Sequence, residues 1–269
     1  MLLANAMSIL CGKPANNFQT DDGHLERIRR AELESVCEQF QPGVNVLEIG
    51  GGSGFQAAIL SSSGSKITSI DIAGRKPAHK SYFTVQDYDG EKIPFPDESF
   101  DLVFSSNVLE HVRSLPSFLK EIERVLKPGG TSLHIVPSPS WRFWTSFTHY
   151  IYAVRWLLGI QQRVPGVVEP TTFRQVAKEN GLTTAIKQLV LAGAHGEYPN
   201  AVSELYYFSR RRWRQVFEDT GIRVLKIHDC GVFYTGYAIM PALSIAARKR
   251  IARWLGSSCF AVTAKKNDL

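Results

Sequence analysis

The run Val46-Leu47-Glu48-Ile49-Gly50-Gly51-Gly52-Ser53-Gly54-Phe55 constrains this chain more than any other segment. A short apolar strand ends in an acid, a glycine-rich turn follows at once, and Gln56-Ala57-Ala58-Ile59-Leu60 continues as a helix. Strand, turn and helix in that order place an open backbone loop at the carboxyl end of a strand in an α/β sheet, where ligands bind in doubly wound folds. Gly50, Gly52 and Gly54 let the backbone turn tightly and approach a ligand with no Cβ in the way. The dinucleotide pattern G-x-G-x-x-G is a poor fit. Counted from Gly50, position 55 is Phe; counted from Gly52, Ala57 completes a variant, but that turn lies well past the strand.

Two further strands end in acids. Lys66–Asp71 is the second, and Asp71 lies about one β-α-β unit after Glu48, where a carboxylate accepts hydrogen bonds from ribose hydroxyls. Phe83–Tyr88 is the third, with Asp87 placed to accept from an adenine amino group and Tyr88 beside the ring. The stretch Ile93-Pro94-Phe95-Pro96-Asp97-Glu98-Ser99-Phe100-Asp101 leads into Leu102–Asn107 and Val108-Leu109-Glu110-His111. Phe118–Val125 then reads as a helix before the turn Leu126-Lys127-Pro128-Gly129-Gly130 and a fifth strand, Thr131–Val136.

These four motifs, in this order over residues 44–136, resemble the class I S-adenosylmethionine-dependent methyltransferases, specifically the group that includes the ubiquinone and menaquinone biosynthesis enzymes. The resemblance implies an α/β fold: a doubly wound, mostly parallel seven-stranded sheet of order 3-2-1-4-5-7-6 with the last strand antiparallel, helices on both faces and a helical cap after strand 5. It implies S-adenosylmethionine as cofactor. Glu48 would sit behind the glycine loop near the methionine amino group, in place of the commoner Asp. Gly50, Gly52 and Gly54 would cradle the cofactor. Asp71 and Ile72 would hold the ribose end, and Asp87 and Tyr88 the adenine end. Asn107 and His111 would flank the methionine part and the substrate entrance. The expected organisation is a helical cover over 1–43, the cofactor-binding half over 44–136, a substrate cap over 137–208 and the rest of the domain over 209–269.

Composition narrows the partners. Net charge is +6, concentrated in Arg210-Arg211-Arg212 with Arg214 and in Arg248-Lys249-Arg250 with Arg253. Such clusters are solvated faces or sites of attraction for phosphate groups or an anionic membrane. Cys11, Cys37, Cys230 and Cys259 have no metal-ligand spacing and read as reduced thiols, so the expected location is cytoplasmic, with the inner face of a membrane as a peripheral site. No metal site is expected. Met1–Leu10 lacks the basic flank of a signal peptide, and no uncharged apolar stretch reaches membrane-spanning length.

Outside the motifs, Asp21 or Asp22 is a candidate cap for a helix carrying Leu25, Ile28, Ala31, Leu33 and Val36. Trp141–Ile160 is unusually aromatic and reads either as a helix packed on the sheet or as a lid beside a lipid-bearing substrate. Pro241–Leu255 reads as a basic amphipathic helix, with Leu243, Ala247, Ile251, Trp254 and Leu255 on one face, compatible with weak membrane-surface association or with packing on the protein itself. His195, with Glu197 and Glu204 as weaker candidates, is the cap's candidate base. The N-P-P-Y motif of adenine and glutamine N-methyltransferases is absent after strand 4, no cysteine stands there as a cytosine C5 nucleophile, and no nucleic-acid-binding module is visible. A small-molecule, sugar or lipid-linked acceptor remains, methylated at oxygen. The competing readings are a non-catalytic cofactor-binding or scaffold protein, and a peripheral membrane enzyme acting on a quinone or lipid carrier.

Overall fold

A computed structural model describes residues 23–74, 80–158, 177–179, 181–183, 186, 190, 192–237 and 240–266. Its centre is a seven-stranded sheet of order β3-β2-β1-β4-β5-β7-β6. The strands are β1 (Asn45–Ile49), β2 (Lys66–Ile72), β3 (Val85–Tyr88), β4 (Phe100–Ser106), β5 (Leu126–Pro137), β6 (Arg223–Asp229) and β7 (Cys259–Lys265). The first five are parallel, and β7 runs antiparallel to both β5 and β6. The expected topology is therefore the observed one. The sheet is apolar on both faces because helices cover both. Leu47 and Ile49 of β1 and Val103 of β4 join one core, while Val46, Leu102 and Phe104 join the other.

Helix α1 (His24–Glu34) packs on one face through Ile28, Ala31 and Leu33. It begins after Gly23, and the candidate caps Asp21 and Asp22 lie outside the described residues. Helix α2 (Phe55–Ser62) follows the glycine loop, and α3 (Leu115–Val125) covers the opposite face with Phe118, Leu119, Ile122 and Val125. The Leu126–Gly130 segment, expected as a turn before the strand, is counted within β5: Phe100 pairs with Leu126, then Leu102 pairs with Thr131. The extra β5 residues bulge between those pairs, with Gly129 at φ 73°.

Beyond β5, α4 (Pro139–Leu157) carries the aromatic segment, and α5 (Ala201–Tyr207) leads to α6 (Arg210–Glu218). Ser209 caps α6, its side chain accepting from Arg212 N at 3.2 Å. The basic cluster beginning at Arg210 is drawn into local partners: Arg210 pairs with Asp229 at 2.7 Å and lies over the Phe260 ring, and Arg214 pairs with Glu218.

Helix α7 (Ile245–Leu255) starts four residues later than expected, because the Ser244 side chain caps it by accepting from Ala247 N. Arg248 is not a surface cation as the sequence reading had it. It is buried, donating to the carbonyls of Phe233 at 3.1 Å and Met240 at 2.6 Å. The apolar face also divides: Ile251 is half-buried, whereas Trp254 is 89 % exposed. Among the thiols, Cys230 and Cys259 are free and buried, while Cys37 is in a disulfide, contrary to the reduced state expected of it. No described helix is long and apolar enough to cross a membrane.

Candidate active site

A cavity of about 1060 Å³ opens at the carboxyl edge of β1, β2 and β4. Its floor is the glycine loop. Gly50 and Gly51 both donate their N–H to Ile70 O, at 2.8 and 3.1 Å, which folds the loop back over the end of β2. At Gly50 a Cβ would fall 2.2 Å from Val108 Cγ2, so this glycine is needed for packing. Gly52 differs. Its φ is 55°, and a Cβ there would meet nothing of the protein within 4 Å, so its open side faces the cavity it lines.

Asp71 closes the wall at the end of β2. One carboxylate oxygen accepts from Gly52 N at 2.8 Å and the other from Ile72 N at 2.7 Å, which locks loop and strand together. Ile72, 53 % exposed, presents an apolar flank beside Asp71. Gln56, also in the wall, has a buried side-chain nitrogen with no partner, an orphaned donor for a ligand acceptor.

The sequence-derived residues separate on inspection. Gly50, Gly52, Asp71, Ile72, Tyr88, Asn107 and His111 line the cavity. Glu48, Gly54 and Asp87 do not. Gly54 instead caps α2 in the left-handed conformation, against the Phe83 backbone. On β3, Tyr88 is buried and the exposed Asp87 alternates away from it; the acids that this segment gives the wall are Asp89 and Glu91, past the strand end. Asp89 is held by accepting from Glu91 N and Lys92 N, bonds that lower its pKa. Burial, reinforced by Asp71 and Asp89, raises the Tyr88 phenol to about 12, so it remains a neutral donor. Sequence reasoning also missed Arg29, which reaches the cavity from α1 together with Leu25. The signal was present: residues 25 and 29 are one turn apart on a single helix.

Glu48 lies behind the loop, as the resemblance implied, fully buried and accepting from Ser69 Oγ at 2.5 Å. Burial raises its carboxyl to about 7, against the lowering effect of the Ser69 bond and with a smaller contribution from Asp71. The folded protein thus keeps a proton that the unfolded chain loses near pH 4.5, and stability falls as pH rises from there to about 7. Glu48→Gln should flatten that dependence, gaining on the wild type by up to about 3 kcal/mol at pH 7 and by almost nothing at pH 4.5. Urea titrations across the range check it; parallel profiles would mean the carboxyl titrates normally.

Next to the cavity, His111 meets the loop that carries His195. Its ring is 4.7 Å from that of His195, which also packs against Trp141 at 4.6 Å. His195 does not line the cavity itself. Burial, with His111, Arg142 and Arg29 adding to it, lowers the His195 pKa to about 4, so the ring is neutral near pH 7 but weakly basic. Burial also lowers the His111 pKa. Beneath both rings lies Glu110, which the sequence reading passed over; its carboxyl is buried, is pushed up to about 8 by that burial, and has no hydrogen-bond partner on either oxygen. Of the other cap acids, Glu197 is exposed and 3.7 Å from Arg113. Glu204 is buried against Arg142 at 2.9 Å.

Residues 47–133 match the family model described as a methyltransferase domain. The chain is 28 % identical over 213 residues to the biotin biosynthesis bifunctional protein BioHC of Cellvibrio japonicus, covering 72 % of this chain and 42 % of that protein. It is 32 % identical over 127 residues to the demethylmenaquinone methyltransferase of Symbiobacterium thermophilum, covering 42 % of this chain and 50 % of that protein. This chain thus spans half the length, or less, of those two curated relatives. A crystal structure of an S-adenosylmethionine-dependent methyltransferase from Mesorhizobium loti shares the fold, with a TM-score of 0.50 and 16 % identity over 87 % of this chain and 97 % of that one.

Proposed function

We infer that this chain, which carries a class I S-adenosylmethionine-dependent methyltransferase domain, methylates a small acceptor at oxygen. The observation that carries the cofactor half of this reading is the pairing of Gly52 with Asp71: an open backbone face in the cavity, fixed by the carboxylate that ends β2 in the same wall. The cofactor supplies an activated methyl group with a neutral thioether as leaving group. The protein's work is then alignment and exclusion of water, a contribution of roughly 7–11 kcal/mol where positioning is optimal. In this reading Asp71 takes the ribose hydroxyls and Asp89, in place of Asp87, serves the adenine end. Arg29 gives the methionine carboxylate a counter-charge. On the acceptor side, the cap over residues 137–208 selects the substrate, and His195 receives the acceptor's proton.

Asp71→Ala should weaken cofactor binding by about 1–3 kcal/mol by leaving the ribose hydroxyls unpaired. Calorimetry with S-adenosylmethionine and its demethylated product tests this, and no binding by the wild type would end the reading. Transfer of labelled methyl to any of a panel of small, sugar-linked and lipid-linked hydroxyl acceptors would separate an enzyme from a binding or scaffold protein.

One observation favours an apolar acceptor at a membrane surface. Phe143, Phe147, Tyr150 and Val154 of α4 are each more than half exposed, along a helix whose first turn packs on His195 through Trp141. The demethylmenaquinone methyltransferase is similar over 127 residues of this chain, and its name gives a quinone as acceptor. Lys249, Arg250 and Arg253, with Trp254, are the membrane-facing groups in this reading; Arg248 is excluded by its burial. Sedimentation with anionic vesicles should be weak and salt-sensitive, with about 1 kcal/mol per basic residue, and should fall in Trp254→Ala. Sedimentation that ignores that variant, or its absence, would remove the membrane from the proposal.

A further inference from the structure

The geometry points to a second ligand beside the cofactor cavity: we propose that Glu110, His111 and His195 bind a divalent cation of the zinc class. Glu110 follows β4 in a short 3-10 turn, Leu109–His111. Its side chain is 0 % exposed, and neither oxygen has a hydrogen-bond partner. A buried carboxyl without partners is costly and calls for an occupant. Two imidazole nitrogens face it: Nε2 of His111 lies 3.8 Å from Glu110 Oε1, and Nε2 of His195 lies 3.9 Å from it. All three ligand atoms are within 4.8 Å of one another. These separations are too long for hydrogen bonds. The two carboxylate–imidazole separations lie close to the span of ligands about 2.0–2.2 Å from a shared tetrahedral ion, which would draw each imidazole toward the carboxylate by roughly half an ångström.

The fold holds His195 there by dedicated contacts. A Cβ on Gly196 would sit 2.4 Å from Glu110 O, so only glycine lets the cap loop lie directly on the turn. Glu197 N donates to that same carbonyl at 3.0 Å. From behind, Glu204 Oε1 accepts from the N–H groups of His195 and Gly196, at 2.6 and 2.8 Å, while Arg142 fixes the other carboxylate oxygen. Three protein ligands leave a fourth position open, and because His111 also lines the cavity, that position lies on the cavity side. Two imidazoles with one carboxylate select zinc-like ions over Mg²⁺ or Ca²⁺, which prefer all-oxygen sites. The consequence, that a coordinated acceptor hydroxyl loses its proton to solvent at lower pH, rests on the methyl-transfer reading; the binding does not. In that case His195 acts as a ligand in place of its role as a base.

The test is to strip the full chain with a chelator and titrate it separately with Zn²⁺, Co²⁺ and Mg²⁺. The expected result is one Zn²⁺ per chain by elemental analysis, a visible Co²⁺ band of low coordination number, and no comparable uptake of Mg²⁺. His195→Ala, on the exposed loop, and Glu110→Gln should each lower Zn²⁺ affinity by about 10-fold or more. Sub-stoichiometric uptake, equal Mg²⁺ binding, or Zn²⁺ affinity unchanged in His195→Ala would overturn the site. Calorimetry with S-adenosylmethionine on the same samples separates the two claims. Cofactor binding without Zn²⁺ uptake removes the cation alone, and Zn²⁺ uptake without cofactor binding removes the methyltransferase reading alone.

Discussion

Replacing Glu204 with alanine should destabilise the protein by about 3–5 kcal/mol, the cost of leaving a buried charge without its partner. Arg142 is 2 % exposed and its guanidinium is 2.9 Å from the Glu204 carboxylate, so the variant strands a cation in the interior. The loss extends to the loop above, because the same carboxylate accepts from His195 N and Gly196 N. Urea denaturation measures the first effect, and hydrogen exchange at residues 195–197 the second. Replacing both partners with apolar residues, Arg142→Met with Glu204→Leu, should recover much of the stability while leaving the loop unpinned. A Glu204→Ala loss below about 1 kcal/mol would show that the pair is already solvated and does not hold the cap.

Gly52→Val should abolish measurable cofactor binding, a loss of roughly 100-fold or more (about 2.7 kcal/mol), in a protein that still folds. No protein atom lies within 4 Å of the added Cβ, so the side chain enters only the cavity. The positive φ of 55° adds strain of about 1–3 kcal/mol, and Gly52→Ala, with a smaller side chain at the same φ, controls for it. Gly50→Ala is the informative contrast. There a Cβ meets Val108, so the expected damage is to folding. If Gly52→Val binds normally, the loop is not the cradle.

The glycine loop and the acid at Asp71 were readable from sequence because each is a local pattern of apolar run, turn chemistry and an acid at a strand end, whereas the strand order came from the family resemblance. The antiparallel last strand and helices on both faces came with the family resemblance, and the sheet has them. Boundaries failed where a side chain or a neighbouring strand overrode the local pattern. Capped by Ser244, α7 starts at Ile245, four residues after the expected start, and pairing with β4 draws Leu126 into β5. The choice between Asp87 and Asp89 turned on where β3 ends: Asp87 is inside the strand, on the side away from buried Tyr88, whereas Asp89 lies past the strand end, where alternation no longer sets its direction.

By itself, the sequence determined which edge of the sheet forms a nucleotide-like cavity, and it named His111 and His195 as separate candidates. Only the tertiary structure decided that these two rings meet over the unpartnered carboxyl of Glu110. It likewise decided that Arg248, although part of a basic run, is spent inside on backbone carbonyls. The physical reason is common to both. Strand and turn preferences are settled within a few residues, whereas the surroundings of a charge or an imidazole are set by chain that lies far away in sequence. Glu110 and Gly196 touch because two elements pack together, and no spacing along the chain encodes that contact.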